Sequence, residues 1–189
     1  MKMKIFNAYR AEVLKTSRGR ILEIGFGTGV NLRYYPTSIK KITVIEPNPG
    51  MTAYARENSK RAPIEVERIA GVAENIPISH DSFDTVVSTL TLCSVKDPAQ
   101  AASEIFRVLK PGGRFLFFEH GLADKPSIQA WQHRLNAFNK VVADGCNINR
   151  DMRGLLESAG FRFESFENFY LPKGPKTHGF MYKGIAVKP

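Results

Sequence analysis

The chain has 189 residues, of which 43% are hydrophobic and 24% charged, with a net charge of +9. These values fit one ordinary globular domain and exclude a mostly disordered chain. No run approaches the roughly 18 apolar residues of a membrane span, and the N-terminus has no apolar stretch before a small-residue cleavage site, so no signal peptide is expected.

Residues 3–17 read as a helix. The N-terminal segment that contains it is the densest basic region, with Lys2, Lys4, Arg10, Lys15, Arg18 and Arg20. Ile5, Phe6, Tyr9 and Val13 fall near helical spacing among these charges. Such a stripe usually docks on its own core; peripheral contact with an anionic membrane is the second reading. Residues 20–24 read as a short buried strand ending at glycines, and a helix begins over 28–35. Residues 41–46 are the second strand. Residues 49–61 fit a helix opened by Pro49. Residues 64–69 alternate apolar and charged, as in a strand exposed on one side. Phe83 to Leu90 is a strongly apolar fourth strand. Residues 97–109 form a helix capped by Asp97 with Pro98 at its first position. Lys110-Pro111-Gly112-Gly113 is a turn, and Arg114 to Phe118 a fifth strand. Residues 127–142 and 150–159 look helical, the second ending at Gly160. Residues 161–169 and 180–187 are the last two strands, paired antiparallel. Strands alternating with helices predict an α/β fold with a parallel sheet covered on both faces. Ligands of such sheets bind beyond the carboxyl ends of the strands, where strand order reverses.

The spread of Lys and Arg forms no basic block, and no zinc finger or RNP-type motif accompanies it, so nucleic acid is not an expected partner. Cys93 and Cys146 form no CxxC pair and have no His cluster near them at zinc spacing. Two free thiols in a reducing cytoplasm, and no metal, are therefore expected.

The first strand runs into Gly25-Phe26-Gly27-Thr28-Gly29. Glycines permit positive φ and remove the Cβ atoms that block close approach of a ligand to backbone N–H groups. Dinucleotide enzymes prefer G-x-G-x-x-G/A; here the sixth position is Val30, which disfavours NAD. Glu46 ends the second strand, where a carboxylate can accept hydrogen bonds from ribose hydroxyls. Pro47 beside it can pack on adenine.

Residues 20–118 resemble class I S-adenosylmethionine-dependent methyltransferases of the ubiquinone/menaquinone-biosynthesis type. Glu23-Ile24-Gly25-Phe26-Gly27-Thr28-Gly29 resembles their first motif, and Glu46 their ribose-binding acid. Gly71-Val72-Ala73-Glu74-Asn75-Ile76-Pro77 resembles their adenine loop, Asp81-Ser82-Phe83-Asp84 the start of their fourth strand, and Arg107-Val108-Leu109-Lys110-Pro111-Gly112-Gly113 their turn before strand five. The resemblance implies a Rossmann-like, seven-stranded, mostly parallel sheet with an antiparallel last strand. It also implies S-adenosyl-L-methionine as cofactor and S-adenosyl-L-homocysteine as product. The implied cofactor set is Glu23, Gly25, Phe26, Gly27, Gly29, Glu46, Pro47, Ala73, Glu74 and Leu90. Val72 departs from the acid common in the adenine loop, which leaves adenine to the Ala73 backbone or to Glu74.

Thr89-Leu90-Thr91-Leu92-Cys93-Ser94-Val95-Lys96, Glu119-His120 and Asp144-Gly145-Cys146-Asn147 resemble the methyltransferase-like group that includes alkyl-thiol methyltransferases. The eukaryotic members of that group carry an apolar N-terminal anchor that is not expected here. Methyl transfer to a small hydrophobic acceptor, with a thiol favoured, is the leading expectation. A phospholipid or quinone methyltransferase at a membrane surface is the alternative, and a non-catalytic cofactor-binding protein the third. A thiol reacts as thiolate, so a base or positive field helps; His120, Asp144 and His133 are the candidates. Residues 1–18 and the insert 119–147 are expected to cover the acceptor within a single domain over 1–189. Trp131, Phe138 and Tyr9 are candidate linings of an apolar acceptor pocket.

Overall fold

Seven strands form one sheet in the computed structural model, which describes residues 2–47, 52–172 and 174–189. They are β1 (Ile21–Ile24), β2 (Lys41–Ile45), β3 (Glu65–Ile69), β4 (Phe83–Thr89), β5 (Leu109–His120), β6 (Arg162–Tyr170) and β7 (Phe180–Val187). Their spatial order is β3-β2-β1-β4-β5-β7-β6. The first five run parallel, and β7 is inserted antiparallel between β5 and β6. The chain leaves β1 towards β2 and later returns to its other side with β4, so strand order reverses at the carboxyl end of β1.

The strands follow from their composition. Central parallel strands are covered on both faces and read as continuous apolar runs; all four residues of β1 are buried. The edge strand β3 has no fully buried residue, and its charged side chains suit an edge open to solvent. Alternation along β5 splits the core in two. Phe115 and Phe117 join Phe83, Ile105 and Leu156 on one face, while Leu116 and Phe118 join Leu14, Ile21 and Ile42 on the other.

Among the described residues, five α-helices flank the sheet: α1 (Lys2–Leu14), α2 (Thr52–Arg61), α3 (Pro98–Val108), α4 (Pro126–Val142) and α5 (Met152–Ser158). Asp97 caps α3 as its sequence predicts, accepting the N–H groups of Ala99 and Gln100. Phe6, Tyr9 and Val13 of α1 pack on the sheet. Pro49, read as the opener of α2, lies outside the described residues.

Two expectations change. The helix read over 28–35 is a single 3-10 turn, Val30–Tyr34. Gly29 enters it at φ +73, and Tyr35 is extended, as the residue before a proline prefers. The turn at 110–113 is an irregularity inside β5. Phe83 pairs with Leu109 and Thr85 with Arg114, so the intervening residues bulge from the ladder. Gly112 donates to the Lys188 carbonyl, and Lys188 to that of Gly113, which keeps this segment in the sheet.

Candidate active site

A cavity of about 810 Å³ opens at the carboxyl ends of β1, β2, β4 and β5, a size ordinary for a small-molecule site. Gly25, Phe26 and Gly27 line it after β1, Glu46 and Pro47 after β2, Ala73 and Glu74 after β3, and Leu90 after β4. Gly25 has φ +70, and a Cβ there would lie 2.1 Å from Thr91 Oγ1. The glycine loop can thus pass the segment after β4 only without a side chain. Glu46 Oε2 accepts the Gly27 N–H at 2.7 Å, which holds the end of β2 against that loop. Glu74 Oε1 accepts the backbone N–H groups of Lys96 and Asp97 at 2.8 and 3.2 Å, tying the loop after β3 to the start of α3.

Glu23 and Gly29 do not line the cavity. Glu23 is buried beneath the glycine loop, where it accepts Asn31 Nδ2 at 3.0 Å and the Tyr35 hydroxyl at 2.7 Å. Burial raises its pKa to about 7, against the lowering effect of those two hydrogen bonds and of Arg10. Arg10, from α1, does line the cavity. Burial lowers its pKa, with Tyr34, Glu23 and Glu119 acting in the other direction. Its Nε is buried without a hydrogen-bond partner.

Past the glycine loop the cavity is lined by Cys93, His120, Asp144 and Cys146. The segment carrying Cys93 is clamped by the buried Glu119. Its Oε1 accepts Ser88 Oγ at 2.7 Å and the Thr91 and Leu92 N–H groups at 3.1 Å, and its Oε2 accepts the Cys93 N–H at 3.1 Å. Arg150 holds the same segment from the other side through the Leu92 and Val95 carbonyls. Cys146 Sγ lies 3.6 Å from Cys93 Sγ and 3.5 Å from His120 Nδ1, and Cys93 Sγ lies 4.0 Å from that nitrogen. The hydrogen bond between the sulfurs, together with burial, pushes the Cys93 thiol up; the same bond holds Cys146 below its usual range against the raising effect of burial. Both thiols are free, as expected, but in space His120 stands beside them, which the absence of a histidine at zinc spacing in the sequence did not lead one to expect. Three segments distant in sequence meet at the ends of β4 and β5 and after α4, so no local spacing could show it.

Among the described residues, three non-glycine residues have positive φ, and two of them, Leu90 (φ 58) and Asp144 (φ 48), line this cavity. Asp tolerates that region through local hydrogen bonding, whereas Leu is rarely found there. His133 lies outside the cavity on α4, with Nδ1 3.0 Å from Asn149 Nδ2. Trp131 and Phe138 are 55% and 66% exposed and do not reach the cavity. Tyr9 instead packs on Phe118 and Phe169. Arg10, Asn139 and His178 line the cavity without any sequence motif to mark them, and Lys96 lines it as the last residue of the 89–96 motif.

Residues 22–117 match the family model described as a methyltransferase domain. The chain belongs to that family. Thiol S-methyltransferase TMT1B of Rattus norvegicus is 36% identical over 169 residues, which cover 84% of this chain and 68% of the relative. Thiol S-methyltransferase TMT1A of Homo sapiens is 31% identical over 191 residues, covering 99% and 78%. The solved structure of the Bacillus halodurans C-125 protein BH2331 superposes with a TM-score of 0.79 at 18% identity, over 96% of this chain and 99% of that one. This methyltransferase uses S-adenosylmethionine. The residues present fit that cofactor: glycine backbone for close approach, a carboxylate at the end of β2, and an arginine whose buried Nε lacks a partner. No helix among the described residues is long and apolar enough to cross a membrane.

Proposed function

We propose that the protein methylates a small hydrophobic acceptor, with a thiol favoured. The observation that carries this reading is the cavity's continuity. It runs from the glycine loop to an end built of Leu90, Cys93, Val95, His120, Cys146 and Ile148. That end is sulfur-rich and mixes apolar side chains with His120 and Asp144, which suits a small thiol. The thiol S-methyltransferase relatives support the same choice.

When bound, the cofactor supplies a methyl group already activated on a sulfonium. The chain's residues then need only align and shield the reactants. The Gly25 and Gly27 backbone and Glu46 hold the nucleoside, Glu46 through the ribose hydroxyls and the Ala73 backbone through adenine. Arg10, which lines the cavity, would meet the methionyl carboxylate. A thiol has a reference pKa of about 8.5, so the positive field of Arg10 and Lys96 favours its reactive thiolate. His120 and Asp144 are the polar side chains set to meet the acceptor, and α1 and the segment around α4 contribute the cavity wall on that side. Incubation with labelled S-adenosylmethionine and short alkyl thiols tests the reading. S-methyl product is expected; measured cofactor binding without that product rejects the thiol.

A second reading rests on α4. Trp131, Phe138 and Val142 recur along one face, 55%, 66% and 60% exposed, with the Arg134 guanidinium 5.3 Å from the Trp131 ring centroid. A basic, aromatic ridge of this kind suits a membrane surface, where a phospholipid or quinone acceptor resides. Binding to anionic vesicles at low salt is then expected, and its absence removes this reading.

A further inference from the structure

We propose that Cys93, His120 and Cys146 form a zinc site with one open position, and that this position holds the acceptor's sulfur as a thiolate. The inference rests on the thiol reading above and deepens it. The three ligand atoms lie within 4.8 Å of one another. Zinc binds thiolate at about 2.3 Å and imidazole at about 2.0–2.1 Å, so a tetrahedral centre sets S···S near 3.75 Å and S···N near 3.55 Å. The observed separations are 3.6 Å between the sulfurs, and 3.5 and 4.0 Å from the sulfurs to His120 Nδ1. Two edges therefore already match within about 0.2 Å, and the third closes with a shift of about half an ångström.

The ligands are held before any metal arrives. The Cys93 N–H is bonded to Glu119, and the Cys93 carbonyl accepts both the Asn147 N–H at 2.8 Å and Asn147 Nδ2 at 3.1 Å. The Cys146 carbonyl accepts Asn139 Nδ2 at 2.6 Å. These bonds lock the two cysteine segments together. Two thiolates and an imidazole select a soft or borderline metal over magnesium or calcium. Three protein ligands leave the fourth tetrahedral position free, the pattern of reactive rather than structural zinc. All three ligands line the cavity, so that position opens onto it. Two thiolates neutralise Zn2+, and an acceptor thiolate brings the centre to −1. The Arg150 guanidinium, fixed to the neighbouring Leu92 and Val95 carbonyls, offsets that charge.

The step balances. The acceptor R–SH binds and releases its proton to solvent. Its sulfur attacks the methyl carbon; the new S–CH3 bond forms as the bond from that carbon to the sulfonium breaks. The released electron pair stays on the S-adenosylhomocysteine sulfur. The neutral thioether is a weaker ligand than a thiolate and departs.

The test uses the full chain, stripped with a chelator under a phosphine reductant and titrated with Co2+, then Zn2+. One Co2+ per chain is expected, with tetrahedral d–d bands and a thiolate-to-cobalt charge-transfer band, displaced by one Zn2+. Cys93→Ser and Cys146→Ser weaken Zn2+ binding by more than the roughly 10–100-fold that losing an outer partner costs. His120→Asn, at a partly exposed position, weakens it while circular dichroism stays native. A short alkyl thiol shifts the charge-transfer band. Folded wild-type protein that takes up no stoichiometric metal, or a folded Cys93→Ser/Cys146→Ser double variant that binds equally well, overturns the site. Metal binding with no response to thiol, and full S-methylation by stripped enzyme, overturns its role. Metal binding and a thiol-shifted band without any S-methyl product at any metal loading leave the site standing and sink the thiol reading instead.

Discussion

Glu23→Gln tests the energetics beneath the glycine loop. Glu23 is 1% exposed, and burial raises its pKa from 4.5 to about 7 even though Tyr35, Asn31 and Arg10 favour the ionised form. A carboxyl whose pKa is higher folded than unfolded binds more protons in the native state. Its contribution to stability is complete below about pH 4.5 and is lost as pH rises to about 7. The loss amounts to about 3 kcal/mol, at 1.36 kcal/mol per pKa unit. Gln keeps an oxygen for Asn31, and its amide can donate to the Tyr35 hydroxyl, so the variant keeps the bonds and has no charge to bury. Urea unfolding of both proteins from pH 4.5 to 7.5 is the assay. The stability of the variant relative to wild type should rise by about 3 kcal/mol across that range. A difference that stays constant, or that moves in favour of wild type as pH rises, would refute a carboxyl dominated by desolvation.

Three further perturbations address the cofactor end. Glu46→Ala should weaken S-adenosylhomocysteine binding by about 1.5–3 kcal/mol, the range for a charged hydrogen bond; an unchanged calorimetric Kd removes the ribose assignment. Arg10→Ala should raise KM for S-adenosylmethionine roughly tenfold or more, about one charged hydrogen bond, with little change in kcat at saturation. A normal KM would show that the guanidinium serves only α1. Gly25→Ala places a Cβ 2.1 Å from Thr91 Oγ1 at φ +70. It should cost about 1–3 kcal/mol of stability and abolish cofactor binding; calorimetry showing native affinity would refute the close-passage argument.

The cofactor half of the site was legible because its parts follow one another along single strand-to-loop junctions. A glycine run after an apolar strand, and an acid at the end of the next strand, are local patterns. Parallel pairing of neighbouring strands brings their carboxyl ends together without further instruction. Glu23 shows the limit of that logic. It belongs to the same motif, yet its side chain meets Asn31 and Tyr35 rather than the cavity. That destination depends on the short 3-10 turn, which the sequence pattern read as a helix. The turn at 110–113 was visible from its Pro and Gly residues, but its place inside β5 depends on bonds to Lys188, far along the chain.

The acceptor half was illegible for a different reason. A zinc motif is recognised when its ligands share a loop, and here they stand at 93, 120 and 146. Topology accounts for two of them. β4 and β5 are adjacent and parallel, with Thr89 opposite Phe118, so residues at or just beyond each strand's end must lie side by side. Cys93, just past β4, and His120, the last residue of β5, occupy those places. Cys146 depends on where α4 returns the chain, and that is decided by Asn139 and Asn147, whose amides bond the Cys146 and Cys93 carbonyls. Buried amides with both partners in loops leave no periodic trace in a sequence. The same two asparagines hold the sulfurs close enough to share one ion, which makes loss of either amide informative. If the cluster serves the acceptor, Asn147→Ala should separate Cys146 from Cys93 and lower S-methylation while cofactor affinity stays unchanged. Parallel losses of both would instead mean that these bonds only support the fold.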